Sequence, residues 1–384
     1  MTVRVLVVHN RYVSAVPSGE NAVVDDEIGA LRGAGVEVLT HLRSSDEIAA
    51  LPPARKAALA VRPVRSGEDA DAVEALIRRQ RPDVLHLHNP YPLVSPWVVR
   101  VAARAGVPVV QTLHNYRHAC IAGSLFRDGH ACEDCIGTPL RWPGVVHGCY
   151  RGSRPQSVVL TAAEVLHGPT WRKVDRFLAL TSFAARTLSR AGVPLDRVTI
   201  RPTSAPDPGG PEPPGTGHLF VGRLDEEKGA LLLAEAWRRT PRGGRLTIVG
   251  DGRCRPEIER LAAERDDVCY LGAQPSGRVA REMAHAAAVV IPSVCYEGLP
   301  RVLVEAFARA RPVLATDVGP LPELVTDDVG WTAPATPDAF AAALAATRPP
   351  DPVRGAAARA RYLGEHTPER SLRTLLDVYE SVRR

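Results

Sequence analysis

The chain has 384 residues, of which 45% are hydrophobic and 24% charged, with a formal net charge of +5. That length exceeds what one hydrophobic core usually serves, so two domains are expected, and so mild a charge gives no sign of a nucleic-acid partner. MTVRVLVVHN enters an apolar run too short for a signal sequence and no run of about 18 apolar residues follows, so a cytoplasmic protein with at most peripheral membrane contact is expected.

Short β-branched runs open the chain, at Val3–His9, Val36–Leu42, Asp83–His88, Val107–His114, Arg176–Thr181 and Val198–Pro202. Near-continuous apolar runs such as VRVLVVH suit strands covered on both faces, as in parallel sheets. Helical patterns lie between them: Glu20–Ala34 stops at Gly33 and Gly35, and Asp69–Arg79 stops before Pro82.

This alternation is interrupted at about 115–155, where Cys120, Cys132, Cys135 and Cys149 crowd together. Four thiols with one CxxC suit a tetrahedral structural Zn²⁺ site, with His118, His130 and His147 as substitute ligands. Reduced thiols or disulfides in an irregular loop are the alternative. The loop follows His114 directly, so it is expected to shape whatever binds there.

Pro202–Gly217 packs six prolines and four glycines into sixteen residues, which no helix or central strand survives. The strand–helix alternation then restarts at His218–Arg223, Arg245–Gly250, Val268–Leu271, Ala287–Pro292, Pro312–Thr316 and Gly330–Thr332. The expected architecture is α/β, with two doubly wound, Rossmann-like domains whose parallel sheets face a central cleft. Their expected bounds are 1–201 and 217–367, joined by a linker at 202–216. A last helix, 368–384, is free to pack back on the first domain.

Ligands of such sheets sit outside the carboxyl ends of strands, where loops lead into helices. Three loops of the second half stand out. GRLDEEKG places Arg223 and Lys228 after a strand, and Lys228 is one of only three lysines beside 45 arginines. Two cations at a helix start suit a pyrophosphate, although a solvated loop with a surface ion pair would read the same way. IVGDG brings Gly250 after a strand, as a nucleotide-approaching loop or an ordinary turn would. In IPSVCYEGLPRVLVEAFARARP, Glu297 precedes a helix opened by Gly298, Leu299 and Pro300, and Glu305 lies within the apolar run VLVEAFA. A partly buried carboxylate there needs a partner, and ribose hydroxyls suit it.

Glu297 and Glu305 eight residues apart, GRLDEEKG upstream and GPLPELV downstream resemble the donor half of a GT-B retaining glycosyltransferase of family 4 (glycosyl transferases group 1). HNRYVSAVPSGENAVVDDEIGAL and TLHNY resemble its first half. The resemblance implies transfer of a sugar from a nucleoside-diphosphate sugar to a hydroxyl, with retention. UDP-sugar is the favoured donor, with GDP- and dTDP-sugars as alternatives. A glycan, a lipid-linked or an aminoglycoside-like acceptor is implied. Arg223 and Lys228 would bind the diphosphate, Glu305 the ribose, and Glu297 with Gly298, Leu299 and Pro300 the transferred sugar. Gly19 would approach the diphosphate or acceptor, and His114 would lie over the sugar. The family's paired glycines stand here as Ser18–Gly19, which loosens the assignment on the acceptor side. No catalytic metal is implied, since Arg223, Lys228 and helix dipoles would neutralise the leaving group. A nucleotide-sugar epimerase, a phosphorylase or a non-catalytic binding protein are the alternatives. Arg151, Arg154, Arg172 and Lys173 form a weakly basic face, without an evident amphipathic helix to commit the chain to a membrane.

Overall fold

The computed structural model describes all residues except 1–2, 16–17, 53–55, 57–58, 60, 211–212, 214 and 384. Val16 and Pro17 of the first-loop motif, and Pro211, Glu212 and Pro214 of the linker, therefore lie outside the described residues. The chain forms two compact units: residues 1–123, 133–202 and 371–384 make the first, and residues 124–132 and 203–370 the second.

The first unit is built on β1 (Arg4–Arg11), β2 (Glu37–Ser44), β3 (Val84–Leu87) and β4 (Val109–Leu113). The hairpin of β5 (Phe126–Arg127) and β6 (His130–Ala131) comes next in the chain. β7 (Arg176–Ala179) and β8 (Val198–Ile200) complete a six-stranded sheet in the order β2-β1-β3-β4-β7-β8. Every pairing in that sheet is parallel. The order reverses between β1 and β3, so these neighbours lead away in opposite directions and leave a crevice at their carboxyl ends.

Two helices complete this unit's picture. α1 (Gly19–Gly33) turns Val24, Glu27, Ile28 and Leu31 inward at the helical repeat, and α2 (Arg154–Trp171) follows the cysteine-containing segment. Ser18 caps α1, its Oγ accepting from the Asn21 N–H at 3.3 Å.

The second unit repeats the plan with β9 (His218–Val221), β10 (Leu246–Val249), β11 (Val268–Tyr270), β12 (Ala288–Ile291), β13 (Val313–Thr316) and β14 (Gly330–Ala333). The order is β11-β10-β9-β12-β13-β14, again parallel, with the reversal between β9 and β12. Its core gathers around Trp237, Leu246, Ile248, Phe340 and Leu344. α3 (Arg301–Ala308) follows β12. Pro300 is its N-cap, one residue outside the helix rather than in its first turn, and this still spares a donor the helix could not use.

α4 (Pro368–Val382) ends the chain. It presents Leu375, Val378 and Tyr379 on one face, and these enter the first unit's core with Val5, Val7, Val84 and Val110. A helix with no strand after it thus finds its apolar partner in the sheet built by the start of the chain.

The segment between β4 and α2 has a small core of its own, in which Tyr91, Ile121 and Leu160 pack with Val145 and Tyr150. This packing gives the segment an apolar centre. Cys120, Cys135 and Cys149 belong to the first unit while Cys132 is grouped with the second. Among the described residues, no three of their sulfurs converge on a metal-sized point. The zinc site stays an expectation of the sequence, which metal analysis of the purified protein tests.

Candidate active site

In the second unit, chemistry collects at the carboxyl ends of β9 and β12. The chain leaves β9 through Gly222 and Arg223, makes a short 3₁₀ turn at Glu226–Lys228, and enters the next helix at Ala230. Gly229 sits between them with φ of +73°, and a Cβ there would lie 1.7 Å from the Pro292 carbonyl oxygen. Only glycine allows that approach. The Val294 N–H donates to the Glu227 carbonyl at 3.0 Å, so the loops after β9 and β12 are joined backbone to backbone.

That junction brings Lys228 to Glu297, 69 residues on: Nζ lies 2.7 Å from Oε1 and 2.7 Å from Oε2. The Ser293 hydroxyl donates to Glu297 Oε1 at 2.6 Å. Burial alone would raise the pKa of the Glu297 carboxyl, but the Lys228 ammonium outweighs it and holds the carboxyl below its ordinary value. Burial likewise opposes charge on Lys228, and Glu297 reverses that effect, so the pair is ionised. Between them along the chain, burial and the Glu297 charge push the Cys295 thiol up to about 12 and keep it neutral.

Arg223 donates to Glu227 Oε1 at 2.7 Å and pairs with Asp225, which also accepts from Arg253 Nε at 3.1 Å. Three cations thus face three carboxylates in this corner. Glu305 is half-buried as its apolar neighbours imply, but its Oε1 is held at 2.8 Å by Arg301 Nε, one helical turn away. Gly250 has a packing reason for its identity: at φ of +146°, a Cβ would lie 1.8 Å from the Gly222 carbonyl oxygen. Leu299 and Pro300 are buried at the entrance to α3.

His114 and Gly19 belong to the first unit. A Cβ on Gly19 would meet nothing within 4 Å, so packing does not dictate its identity. His114 follows β4 and lines a shallow depression open to solvent, with Glu20, His88, Asn115, Arg117 and Trp171. Burial, then the neighbouring His88 and His9 rings, hold His114 well below its ordinary pKa, so it is neutral.

Behind it runs a buried polar chain absent from the sequence expectations. His114 Nε2 lies 2.8 Å from His88 Nδ1, and His88 Nε2 lies 3.2 Å from Glu27 Oε1. Glu27 also meets His86 Nδ1 at 3.0 Å and forms an ion pair with Arg201. His86 Nδ1 is 2.7 Å from Tyr379 Oη on α4. Glu27, His86 and His88 are the one group of metal-type ligands that converges among the described residues. The guanidinium of Arg201 already supplies there the positive charge an ion would bring.

Glu27 is ionised, since Arg201 and the two histidines outweigh its burial. His88 Nε2 faces the ionised Glu27 carboxylate, which favours the His88 proton on that nitrogen. That leaves His88 Nδ1 as an acceptor and puts the His114 proton on Nε2. Nitrogen-15 NMR is expected to show neutral His114 as the Nε2–H tautomer, with tautomer mixing in Glu27→Gln; a predominant Nδ1–H form in the native protein would refute the chain.

Glu20 was also missed. Burial raises its carboxyl to about 7 against the opposing pull of Arg117, Tyr12 and Asn115. Its Oε1 is buried without a hydrogen-bond partner. The available sequence signal was its place one residue into α1, beside Gly19.

The chain is similar to known proteins. The family described as "Glycosyl transferase 4-like domain" matches residues 18–203, and "Glycosyl transferases group 1" matches 216–347. The Escherichia coli putative colanic acid biosynthesis glycosyltransferase WcaL is 35% identical over 160 residues, 38% of each chain. The alpha-D-kanosaminyltransferase of Streptomyces kanamyceticus is 35% identical over 115 residues, 28% of this chain and 30% of its own. The matches thus span about a third of these relatives' length. Among solved structures, Anabaena HepE in complex with UDP superposes with a TM-score of 0.66 at 15% identity, covering 99% of this chain and 100% of that one. Sucrose-phosphate synthase of Thermosynechococcus elongatus gives 0.72 at 18%, covering 99% and 98%. These likenesses identify the two doubly wound units as the GT-B fold. With one family description on each half, the chain belongs to the group 1 glycosyl transferases.

Proposed function

We propose that the protein transfers a sugar from a nucleoside-diphosphate sugar to an acceptor hydroxyl, with retention of anomeric configuration. The observation that carries this reading is the Lys228–Glu297 pair at the carboxyl ends of β9 and β12, beside Arg223. In this reading the donor diphosphate displaces carboxylates from Arg223 and Lys228, and the two cations then neutralise the charge that builds on the leaving phosphate. Freed from one ammonium contact, Glu297 accepts from the hydroxyls of the transferred sugar, together with backbone of Gly298 and Leu299. Glu305 takes the ribose hydroxyls with the carboxylate edge that Arg301 leaves open. Gly250 holds the donor loop in shape, and Pro300 starts α3 behind it. UDP is the first carrier to test because HepE, of the same fold, was crystallised with it.

On the first unit, His114 Nδ1 accepts from a sugar hydroxyl, Gly19 leaves room for the acceptor or diphosphate, and Glu20 holds the acceptor. The bounds 1–201, 202–216 and 217–367 remain the working definition of acceptor domain, linker and donor domain. The reaction is placed in the cytoplasm.

Thermal shift with UDP, GDP and dTDP tests the donor side. One of them is expected to raise the melting temperature in proportion to ln(1 + [L]/Kd), and the matching sugar nucleotide to release it on turnover. No shift with any of the three at about 5 mM, some way above usual donor affinities, would end this reading. Proton coupling at the new anomeric centre decides retention.

Glu20 gives a pH prediction with a definite sign. Its carboxyl ionises near 7 in the fold and lower when unfolded, so the native state loses stability as pH rises between those values. Glu20→Gln is expected to melt a few degrees higher than the native protein at pH 8. If the carboxylate is the acceptor-holding form, native transfer rises through about pH 7 while the variant is flat and slower by about tenfold or more.

A further inference from the structure

α2 is built inside out. Its inward residues are Ser157, Thr161, Glu164, His167 and Thr170, with Leu160 and Ala163. Most of these polar groups are satisfied within the first unit. Glu164 accepts from Tyr91 Oη at 2.6 Å, His167 Nε2 meets the Val64 carbonyl at 2.9 Å, and Thr170 Oγ1 accepts from Arg100 Nε at 2.6 Å. The outward stripe is the apolar one. Val158 is 51% exposed, Val165 47% and Leu166 55%, and Ala162 and Pro169 lie in the same stripe. The short helix Trp142–Val146, which packs on α2, adds Trp142 at 59% exposure. A soluble helix normally reverses this arrangement.

Charge says what this face meets. Exposed cations bracket the helix at both ends, Arg151 before it and Arg154 at its first residue, Arg172 and Lys173 after it. The only acid of α2 is Glu164, which points inward, so no acidic residue interrupts the stripe among the described residues. No described helix is long and apolar enough to cross a membrane. An apolar face flanked by cations and an aromatic ring is the composition of a helix that lies in the headgroup region.

We propose that the outward face of α2, with Trp142, is a docking surface for an anionic lipid bilayer. The last residue of α2, Trp171, lines the same depression as Glu20 and His114. The one helix thus carries the lipid-facing stripe on its outer side and, through Trp171 on its inner side, part of the wall of the acceptor depression. This arrangement suits a lipid-linked acceptor, a consequence that rests on the sugar-transfer reading. The docking itself does not.

The test uses the full chain and two sets of vesicles, pure phosphatidylcholine and phosphatidylcholine with about 30% phosphatidylglycerol, in co-sedimentation. The native protein is expected to partition at least about tenfold more strongly to the anionic vesicles, and to be released as salt is raised. Val165→Gln with Leu166→Gln is expected to weaken partitioning about tenfold, and Arg172→Glu with Lys173→Glu by at least about 25-fold. Both pairs are exposed, so their melting temperatures and nucleotide-induced shifts are expected to match the native protein. The proposal is overturned if the native protein ignores anionic vesicles or if the variants bind them as tightly. A concentration-dependent dimer in sedimentation velocity that Val165→Gln with Leu166→Gln dissolves would overturn it too, by assigning the face to a second copy.

Discussion

Lys228→Arg is expected to lower transfer by about 100-fold or more while the protein melts within a few degrees of the native temperature. Charge is conserved in this substitution, so geometry decides. One compact ammonium bridges both Glu297 oxygens at 2.7 Å, and the next residue, Gly229, is pressed against the Pro292 carbonyl, so the backbone has no room to retreat. A planar guanidinium spreads its donors in a rigid fork and cannot occupy the same point. Lys228→Ala should lose a similar amount of activity and in addition leave Glu297 buried without its cation. Because Lys228 keeps the Glu297 carboxyl below its ordinary value, the stability it contributes is present at neutral pH and lost as pH falls through that lowered pKa. Turnover measured with saturating donor distinguishes the outcomes. Near-native activity in Lys228→Arg would mean that the lysine is incidental among the arginines.

Arg201→Leu is expected to be the most destabilising single change in the first unit. The side chain is 10% exposed, pairs with Glu27 and donates from Nε to the Ser371 carbonyl at 3.1 Å. Removing one partner of a buried ion pair costs about 3–5 kcal/mol, because the other charge is stranded. For a unit of this size that is roughly 6–20 °C in melting temperature. The sign with pH follows from Glu27. Its pKa is held well below the carboxylate range in the native fold, so the ionised form stabilises the fold at neutral pH. Without Arg201 the folded pKa climbs, and the deficit against the native protein grows as pH rises from about 4 to about 8. Melting curves at those two pH values settle it. A loss below about 1 kcal/mol, or one of equal size at both pH values, would show that the histidines alone hold Glu27 ionised.

The sheets were legible because strands buried on both faces announce themselves as β-branched runs, and each of the twelve sheet strands falls within two residues of its expected span. The loops carrying Arg223, Lys228 and Glu297 were legible for the same reason, since they follow strands. That Lys228 and Glu297 meet was not, because their contact depends on β9 and β12 being neighbours at the point where strand order reverses. His114, His88 and Glu27 were hidden in the same way: LHLHN reads as an apolar strand carrying two histidines, and only the packing of α1 and Arg201 gives those rings a carboxylate. The cysteines are a different case. Their spacing suggests a metal site, while the small core around Ile121 and Leu160 in that segment had no sequence signal. α2 shows a further limit: a 3.6-residue repeat reveals that a helix has two faces, but not which of them the fold will turn inward.

The return of α4 to the first unit has a consequence for how such a chain can be cut and rejoined. Residues 133–202 and 371–384 both belong to that unit, so residues 203–370 are, in topological terms, an insertion within it. A fragment ending at residue 202 would expose the apolar face that Leu375, Val378 and Tyr379 cover and would leave His86 without the Tyr379 hydroxyl. The donor half is continuous apart from residues 124–132, whereas the acceptor half needs residues 371–384 supplied from the far side of the donor stretch. Swapping donor specificity between relatives by exchanging residues 203–370 therefore respects the covalent plan of the molecule, and a simple N-terminal/C-terminal fusion at the linker does not.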